Sequence, residues 1–446
     1  MKTKPQPPAN PVRAWRLPFP TLCATLAAIT LVHASPLAAQ GAVWTGGVGE
    51  WNDSAQWDGG VVPGETTNVF LPAAAVVSYN LPMAAASIGG LTNWGLLSIN
   101  TSGFNCAAVV LNRVGGGGLL TVNSGGVLAI TGALGICSNN AVTIQPGASL
   151  TASAAVHIGS NPFGVVGGAT IGAFGRMTNN GGVITTATTT FNPNNQSLAA
   201  GNHALLVING GVNNLGSVDI HRSGGTAQAA LGTEGLMIYG GLVNMTSLRL
   251  GNNNFASMLV SPGAIVTNTG NGTIRNTTAG RPSRLLQTGG LYVTLGTQTM
   301  TVSTGTGAGT TYSITGGTNL MGGLRFGDTA TAANPGTANF TNAAAIYIGL
   351  QGIANSGAAV VNARLNPGGL FGALADWTGS SPMILGAGDF TFRAASLDGT
   401  PHNITLDGVL SGIGPLVKTG GGTLTMSAAH TYTGPTLINE GTLALG

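Results

Sequence analysis

The sequence predicts an all-β protein, a parallel β-solenoid, from its glycine content, its low charge and a recurring short apolar motif. Glycine occurs 74 times in 446 residues, and each glycine inside a helix costs about 0.5–1 kcal/mol relative to alanine. Hydrophobic residues make up 43% of the chain and charged residues 6%. This balance differs from that of disordered chains and allows a core to be buried. Strands and turns are therefore the predicted elements.

The N-terminal segment is typical of a secretory signal peptide. Lys2, Lys4, Arg13 and Arg16 come before an apolar stretch, Leu17–Val32, which is followed by the small residues of HASPLAAQ. The uninterrupted apolar part, Leu22–Val32, is too short to span about 30 Å of hydrocarbon, which argues against the alternative of a membrane anchor. We expect cleavage after Ala34 or Ala39, and we assign residues 1–39 to the signal peptide.

Export changes the charge balance of the protein. Four of the 15 basic residues and none of the 12 acidic ones lie in residues 1–39, so the processed chain carries a net charge of about −1. A chain without a positive field lacks the electrostatic attraction for a phosphate backbone. We therefore expect no nucleic-acid partner.

The two cysteines outside the signal peptide do not form a metal-ligand pattern. Cys106 and Cys137 are 31 residues apart, which matches no metal-ligand spacing. We interpret them as small buried side chains on neighbouring coils, with one disulfide as the alternative. No metal and no cofactor is expected.

The strongest internal signal is a repeated unit of two alternating apolar runs separated by a Gly-Gly or Pro-Gly corner. LLVINGGVNNL from Leu205 is one example. Each unit offers short strands with one apolar face, too little for a core alone, so successive units must stack and share one. Glycine supplies the positive φ of the corners. The corner glycines, mostly 22 to 30 residues apart, are Gly125, Gly147, Gly210, Gly240, Gly263, Gly289 and Gly316.

The segment that follows the signal peptide differs from the repeats. Trp44, Trp51 and Trp57 lie close together there, beside glycine and proline. An open solenoid end exposes core and unpaired strand edges, which bulky aromatic side chains can cover. We therefore predict an N-terminal cap with the first coils over residues 40–110, and solenoid repeats over residues 111–368. A carbohydrate-stacking platform is the alternative for the tryptophans.

The C-terminal stretch from Gly412 to Gly446 resembles the autotransporter-associated β-strand repeat, and the preceding residues from 369 resemble the segment that leads into it. His430 and Pro435 depart from the usual pattern. The resemblance implies a right-handed β-helix that is secreted and presented at the bacterial cell surface or outer membrane. The residues that match the repeat are Lys418, Gly420, Gly422, Thr423, Leu424, Thr431, Tyr432, Thr433, Gly434, Thr436, Asn439, Gly441, Thr442 and Leu443.

Two further expectations follow from this resemblance. Lys418 is the single lysine after the signal peptide. Without a paired carboxylate or a phosphate-binding loop it has no reaction to perform, so we interpret it as a structural position of the repeat. A complete autotransporter ends in a membrane barrel, whereas this sequence stops at Gly446. We expect either a fragment or an anchor located elsewhere, so that the membrane is reached only through an anchor not present in this chain.

An enzyme is the competing hypothesis, because right-handed β-helices include polysaccharide lyases and glycoside hydrolases. Such enzymes need clustered carboxylates, yet no acidic residue occurs between Glu65 and Asp219. Catalysis is therefore expected from neither of the two small constellations in the sequence, which are Asp219, His221 and Arg222, and Asp398, His402 and Asp407.

The sequence thus predicts a surface passenger that acts as a structural spacer or adhesin, with no catalytic activity. The partners expected for it are glycans or proteins on the surface of a host or neighbouring cell. A purely mechanical role without a ligand is a further option. The alternative function is that of a β-helical polysaccharide lyase or glycoside hydrolase.

Overall fold

The computed structural model is all-β over the residues that it describes. Two single-turn 3₁₀ helices, Ser54–Gln56 and Asp58–Gly60, lie near its start. Within this part of the chain, no helix has the length and apolar character needed to cross a membrane. The predicted signal peptide lies outside the described residues, which are 41–80, 87–113, 116–159, 175–191, 204–220, 234–251, 255–275, 283–302, 310–327, 337–355 and 360–446.

The strands are numbered in chain order. Strands β1–β12 are Ala42–Val43, Val48–Glu50, Val69–Leu71, Val76–Tyr79, Ser87–Asn93, Leu96–Ile99, Phe104–Leu111, Leu119–Val122, Val127–Ile130, Leu134–Ile136, Asn140–Ile144 and Ser149–Ile158. Strands β13–β23 are Gly175–Phe191, Ala204–Ile220, Gly235–Ile238, Gly241–Leu250, Ser257–Val260, Ala264–Asn268, Gly272–Ile274, Arg284–Val302, Thr310–Phe326, Thr337–Asn342 and Ala345–Asn355. Strands β24–β34 are Val360–Leu365, Leu370–Ala373, Trp377–Gly379, Met383–Leu385, Phe390–Arg393, Ile404–Leu406, Leu410–Gly412, Leu416–Thr419, Thr423–Met426, Thr436–Ile438 and Thr442–Leu445.

These strands form three parallel ladders, because most coils of the chain contribute three strand segments. The coil of β14 illustrates the order: residues 205–208 pair on the first face, 212–214 on the second and 217–220 on the third. All ladder pairings between named strands are parallel, from β1 with β3 to β32 with β34. Paired residues are between 18 and 35 positions apart along the chain, as in Leu91–Val109 and Val142–Met177. The predicted parallel β-solenoid is confirmed.

The core lies inside the three ladders and follows from the alternation of each strand. Successive side chains of a strand point to opposite faces, so one set lines the interior and the other faces outward. Residues at equivalent positions thereby stack in columns along the solenoid. One inward column of the second face consists of Leu128, Leu150, Ile184, Asn213, Val243, Val266, Tyr292, Asn319, Ile346, Phe371, Phe392 and Lys418.

The corners between the first and second faces depend on glycine, but the turning residue differs from the prediction in the Gly-Gly corners. There the second glycine has the positive φ, as in Gly211 at 76°. The first glycine, Gly210, is still paired in the ladder opposite Asn180, so the chain turns one residue later. The same one-residue shift applies to the predicted corners Gly240, Gly289 and Gly316, whereas the corners at Gly125, Gly147 and Gly263 are as predicted.

The three N-terminal tryptophans are packed together at the first described coil. Trp44 and Trp51 directly follow β1 and β2, and all three indoles are at most 2% exposed. Trp57 meets the other two rings edge to face, at centroid distances of 5.0 and 4.9 Å, and its Nε1 donates to the Trp51 carbonyl at 2.8 Å. This packing is compatible with the predicted cap. Because the rings are buried, they offer no open platform for a sugar.

Both cysteines are buried and free. They lie on neighbouring coils, since β7, which contains Cys106, pairs with β10, which Cys137 follows. Burial raises the pKa of each thiol to about 12. These thiols are therefore packing groups that stay protonated at neutral pH, and the alternative of a disulfide is not realised.

Candidate functional site

The ionisable side chains are dispersed over the ladders. In the described part of the chain, no three His, Cys, Asp or Glu side chains are grouped so that they could hold a metal ion. The richest arrangement of polar groups is on the outward side of the third face. One outward column there contains His157, Thr190, Asp219, Arg249 and Thr273, one from each successive coil.

Asp219 belongs to an ion pair that the sequence did not reveal. Arg249, which lies opposite Asp219 on the next coil, donates from Nε to the Asp219 Oδ1 at 2.9 Å and from its Nη2 to Oδ2. This hydrogen bonding raises the pKa of Arg249 further. His221 and Arg222, predicted beside Asp219, lie outside the described residues. The detectable signal was the recurrence of the unit after 30 residues, which places 219 and 249 side by side.

The same face carries two further polar contacts between coils. The His157 Nδ1 lies 2.7 Å from the Thr190 hydroxyl, and burial lowers the pKa of His157. The hydroxyls of Ser217 and Ser247 are 2.8 Å apart. The outward side of this face therefore carries three separate contacts between coils, in which imidazole, hydroxyl and ion-pair groups bond to one another.

The second constellation, Asp398, His402 and Asp407, is dispersed by the structure. Asp398 accepts from the Ser396 hydroxyl and, at 3.0 Å, from the Thr400 amide, and these bonds lower its pKa to about 2. His402 is instead near Asp376, with Nδ1 3.7 Å from Oδ1. Asp398 thus stabilises a local turn, and the contact of His402 is with Asp376.

Lys418 occupies an inward position of the second face, directly above Phe392 in the column of core residues. Its side chain is fully buried, and desolvation lowers its pKa. Nζ donates to three backbone carbonyls, those of Thr419 at 2.9 Å, Gly420 at 2.6 Å and Glu440 at 2.8 Å. Since an ammonium group has three donors, all of them are used within the protein.

Glu440 is closer to Lys418 than the sequence indicated, which corrects the expectation of an ammonium without a paired carboxylate. The Glu440 carboxylate accepts from the Gly420 amide at 3.1 Å, and its charge favours the protonated lysine. Gly441, with φ of 73°, lies against the ammonium, and a Cβ there would be 2.7 Å from Nζ. Lysine, carboxylate and glycine together close the corner between the last two coils.

The other positions of the repeat lie along this C-terminal stack. Thr423 and Leu424 are in β32 and pair with Thr442 and Leu443 in β34. Gly420 also has positive φ, at 75°, and Gly422 follows in the same corner. Of the remaining predicted positions, Thr436 begins β33 and Asn439 follows it, and the Tyr432 and Thr436 hydroxyls are 2.5 Å apart. The positions that lead into this strand are Thr431, Tyr432, Thr433 and Gly434.

His430, one of the two departures from the repeat pattern, has a defined role. Its Nδ1 accepts from the Leu410 amide at 3.0 Å, so the ring must be neutral, with its proton on Nε2. That Nε2 is buried and has no hydrogen-bond partner among the described residues. Burial lowers the pKa of His430, which favours this neutral form.

Comparison with known proteins adds one finding to this geometry. The architecture is that of a parallel β-solenoid, and its last two described coils turn at the positive-φ glycines Gly420 and Gly441. Residues 416–445, which form those coils, match the family model of the passenger-associated-transport-repeat. Together the repeat and the fold are consistent with an autotransporter passenger β-helix. No curated protein and no solved structure matches the chain.

Proposed function

We propose that this protein is an exported, surface-exposed passenger that acts as a structural spacer or adhesin and performs no catalysis. The observation that carries the proposal is the continuous third-face ladder, whose pairings connect every coil from Ala42 to Leu445. Such a stack holds its outward side chains at a repeat of about 4.8 Å. The transport-associated repeat at residues 416–445 supports export.

An adhesive role is supported by polar side chains that recur in register on adjacent coils. Asn244 donates from Nδ2 to the Asn214 Oδ1 at 2.8 Å, and the hydroxyls of Ser217 and Ser247 are in contact. Pairs of this kind offer the same hydrogen-bonding group on two adjacent coils, which favours weak, repeated contacts with glycans or with proteins of another cell.

A polysaccharide lyase or hydrolase is the second candidate, favoured by the polar column of the third face. Hydrolysis of a glycoside requires two carboxyl groups about 5 to 10 Å apart. In that column the one carboxylate, Asp219, is held by Arg249. A spacer or adhesin therefore accounts better for the described residues.

Export is tested by expressing the full chain in a Gram-negative host and locating it by cell fractionation. We expect an extracytoplasmic protein whose N-terminus, read by mass spectrometry, follows Ala34 or Ala39. A matched variant lacking Leu22–Val32 removes the apolar segment that targeting requires and should stay in the cytoplasm. Cytoplasmic retention of both proteins would contradict the proposal.

Catalysis is tested by incubating the purified chain with a panel of pectin, alginate, xylan and glucan. We expect neither new reducing ends nor the ultraviolet absorbance of unsaturated uronates. If sugar is released from any of them, and if Asp219→Asn abolishes that release while Asp389→Asn does not, the enzyme hypothesis replaces ours.

A further inference from the structure

The second face of the solenoid differs from the other two in its charge. Its strand segments contain no Asp, Glu, Lys, Arg or His from Val127 to Ala373, whereas the first face carries Arg176 and Arg284 and the third carries Asp219. The uncharged segments are 127–130, 149–152, 183–186, 212–215, 241–245, 264–268, 290–294, 317–321, 345–348 and 370–373.

An aliphatic column runs along the outward side of this face. Val183, Val212, Leu242, Ile265 and Leu291 occupy the same outward position on five successive coils. Three of them are strongly exposed for such apolar residues, Val183 at 40%, Val212 at 38% and Ile265 at 45%. An exposed apolar patch with a polar rim is typical of an interaction site.

The rim of the column is polar and the face is open. The neighbouring outward column contains Thr185, Asn214, Asn244 and Thr267 on the same coils. After residue 116, every segment outside the described residues follows a third-face strand and precedes a first-face strand. The turns that border the second face are therefore all described there, and they leave the aliphatic column exposed to solvent.

We propose that this uncharged second face binds the same face of a second copy of the chain. Outward side chains recur every 4.8 Å or so along a parallel ladder, and a copy of the protein has that same spacing, so the two columns can interdigitate sheet on sheet. A neutral face meets its own copy without like-charge repulsion. Such an interface is isologous, with equivalent residues contacting one another across a two-fold axis.

The size of the face indicates how strong this association is. From Val127 to Leu370 the column spans nine coil-to-coil steps, roughly 43 Å, and four strand residues give a width of roughly 13 Å. A pair of such faces has a projected area of roughly 1,100 Å², at the lower limit for specific protein interfaces. The dimer is therefore expected to be weak, with a dissociation constant in the micromolar range.

The test is the molecular mass of the purified full chain by sedimentation equilibrium between about 1 and 200 µM. We expect a concentration-dependent monomer–dimer equilibrium. A variant that combines Val212→Lys with Ile265→Lys places two ammonium groups from each copy, four in all, in the interface. It should raise the dissociation constant of the dimer by on the order of 100-fold. Val212→Thr with Ile265→Thr, which keeps β-branched side chains of strand-forming type, should weaken the dimer to a smaller extent.

The control variant carries Thr273→Lys and Thr301→Lys, two outward positions on adjacent coils of the third face. It adds the same charge and should dimerise like the original chain, while circular dichroism verifies the fold of every variant. Monomeric mass over the whole range would overturn the inference. So would a dimer that the lysines at 212 and 265 leave intact, or one that the control disrupts. None of these outcomes bears on export or catalysis.

Discussion

At the residue scale, Lys418 and His430 illustrate how single polar groups define the C-terminal repeat. Lys418 satisfies three backbone carbonyls at a position of the core column that Phe392 fills one coil earlier. A buried ammonium is tolerated only when its desolvation is offset by such hydrogen bonds. The lysine thus holds together backbone groups of the last two coils.

Replacing Lys418 by methionine should loosen the repeat locally. The substitution keeps the approximate shape but leaves buried carbonyls without a donor, at a cost of about 1–3 kcal/mol for each unsatisfied group. Because coils interact mainly with their neighbours, hydrogen exchange should accelerate in Leu416–Leu445 and remain unchanged in Ala204–Ile220. The control Arg364→Met alters an exposed side chain and should shift neither region. Equal exchange in Lys418→Met and the original chain would contradict the structural role of the lysine.

His430 should make the stability of the repeat depend on pH. The pKa of His430 is lower in the folded protein than in the unfolded chain, so the unfolded state binds more protons between the two values. The contribution of His430 to the free energy of unfolding is fully present above about pH 6.5, and it is lost as the pH falls through the pKa of the folded state. We expect protection of the Leu410 amide, corrected for intrinsic exchange, to be lower at pH 5 than at pH 7.5.

The matched variant for this prediction is His430→Asn, which keeps a hydrogen-bond acceptor at this position. An asparagine Oδ1 can accept from the Leu410 amide without titrating. Protection of that amide should then be independent of pH over the same interval. If the variant and the original chain show the same pH dependence, another group is responsible for it.

At the scale of the element, the glycine corners decide where one face ends and the next begins. Gly211 has φ of 76°, and a Cβ on it would lie 2.0 Å from the Gly182 carbonyl oxygen of the preceding coil. Gly368 has nearly the same φ, 79°, but open space around it. Both positions require a left-handed backbone, but only Gly211 also lies too close to the preceding coil for a side chain. Comparing the two therefore distinguishes the cost of the backbone conformation from the cost of the close contact.

Alanine substitution at these two corners should have different effects. Gly368→Ala incurs the cost of a left-handed backbone alone, about 1–3 kcal/mol. Gly211→Ala adds a backbone clash that only a displacement of the coil can relieve, so its loss of stability should be clearly larger. The midpoints of urea unfolding provide the comparison. Equal losses for the two variants would mean that the spacing of the coils adapts to an added methyl group.

At the scale of the whole molecule, stability is distributed along a stack in which each coil contacts the coils before and after it. Gly241 pairs with Ala264, the equivalent position one coil later. Removing residues 242–264 therefore takes out one strand segment from each of the three faces and keeps all later strands on their own face.

We predict that this deletion folds with an unchanged β spectrum by circular dichroism and only a small change in the melting temperature. Deleting Leu242–Leu250 alone removes two faces of a coil and leaves the third, so the strands that follow would be placed on the wrong face. That control should be insoluble or markedly less stable. Comparable behaviour of the two deletions would contradict the coil as the unit of this fold.

The sequence by itself determined the class of fold, the repeat and, to within one residue, the location of the predicted corners. Glycine excludes long helices, and alternating apolar runs that cannot form a core alone must stack, so these conclusions need no coordinates. The N-terminal tryptophan cluster and the C-terminal repeat were recognisable because their residues are adjacent in the chain.

The tertiary structure decided which residues meet between coils, because the chain length of a coil varies from 18 to 35 residues and register cannot be counted from the sequence. The ion pair between Asp219 and Arg249 depends on that register, and so does the hydrogen bond from the Lys418 Nζ to the Glu440 carbonyl of the next coil. So does the uncharged second face, where Val212 and Ile265 lie in one column only because the coils between them are aligned by backbone hydrogen bonds.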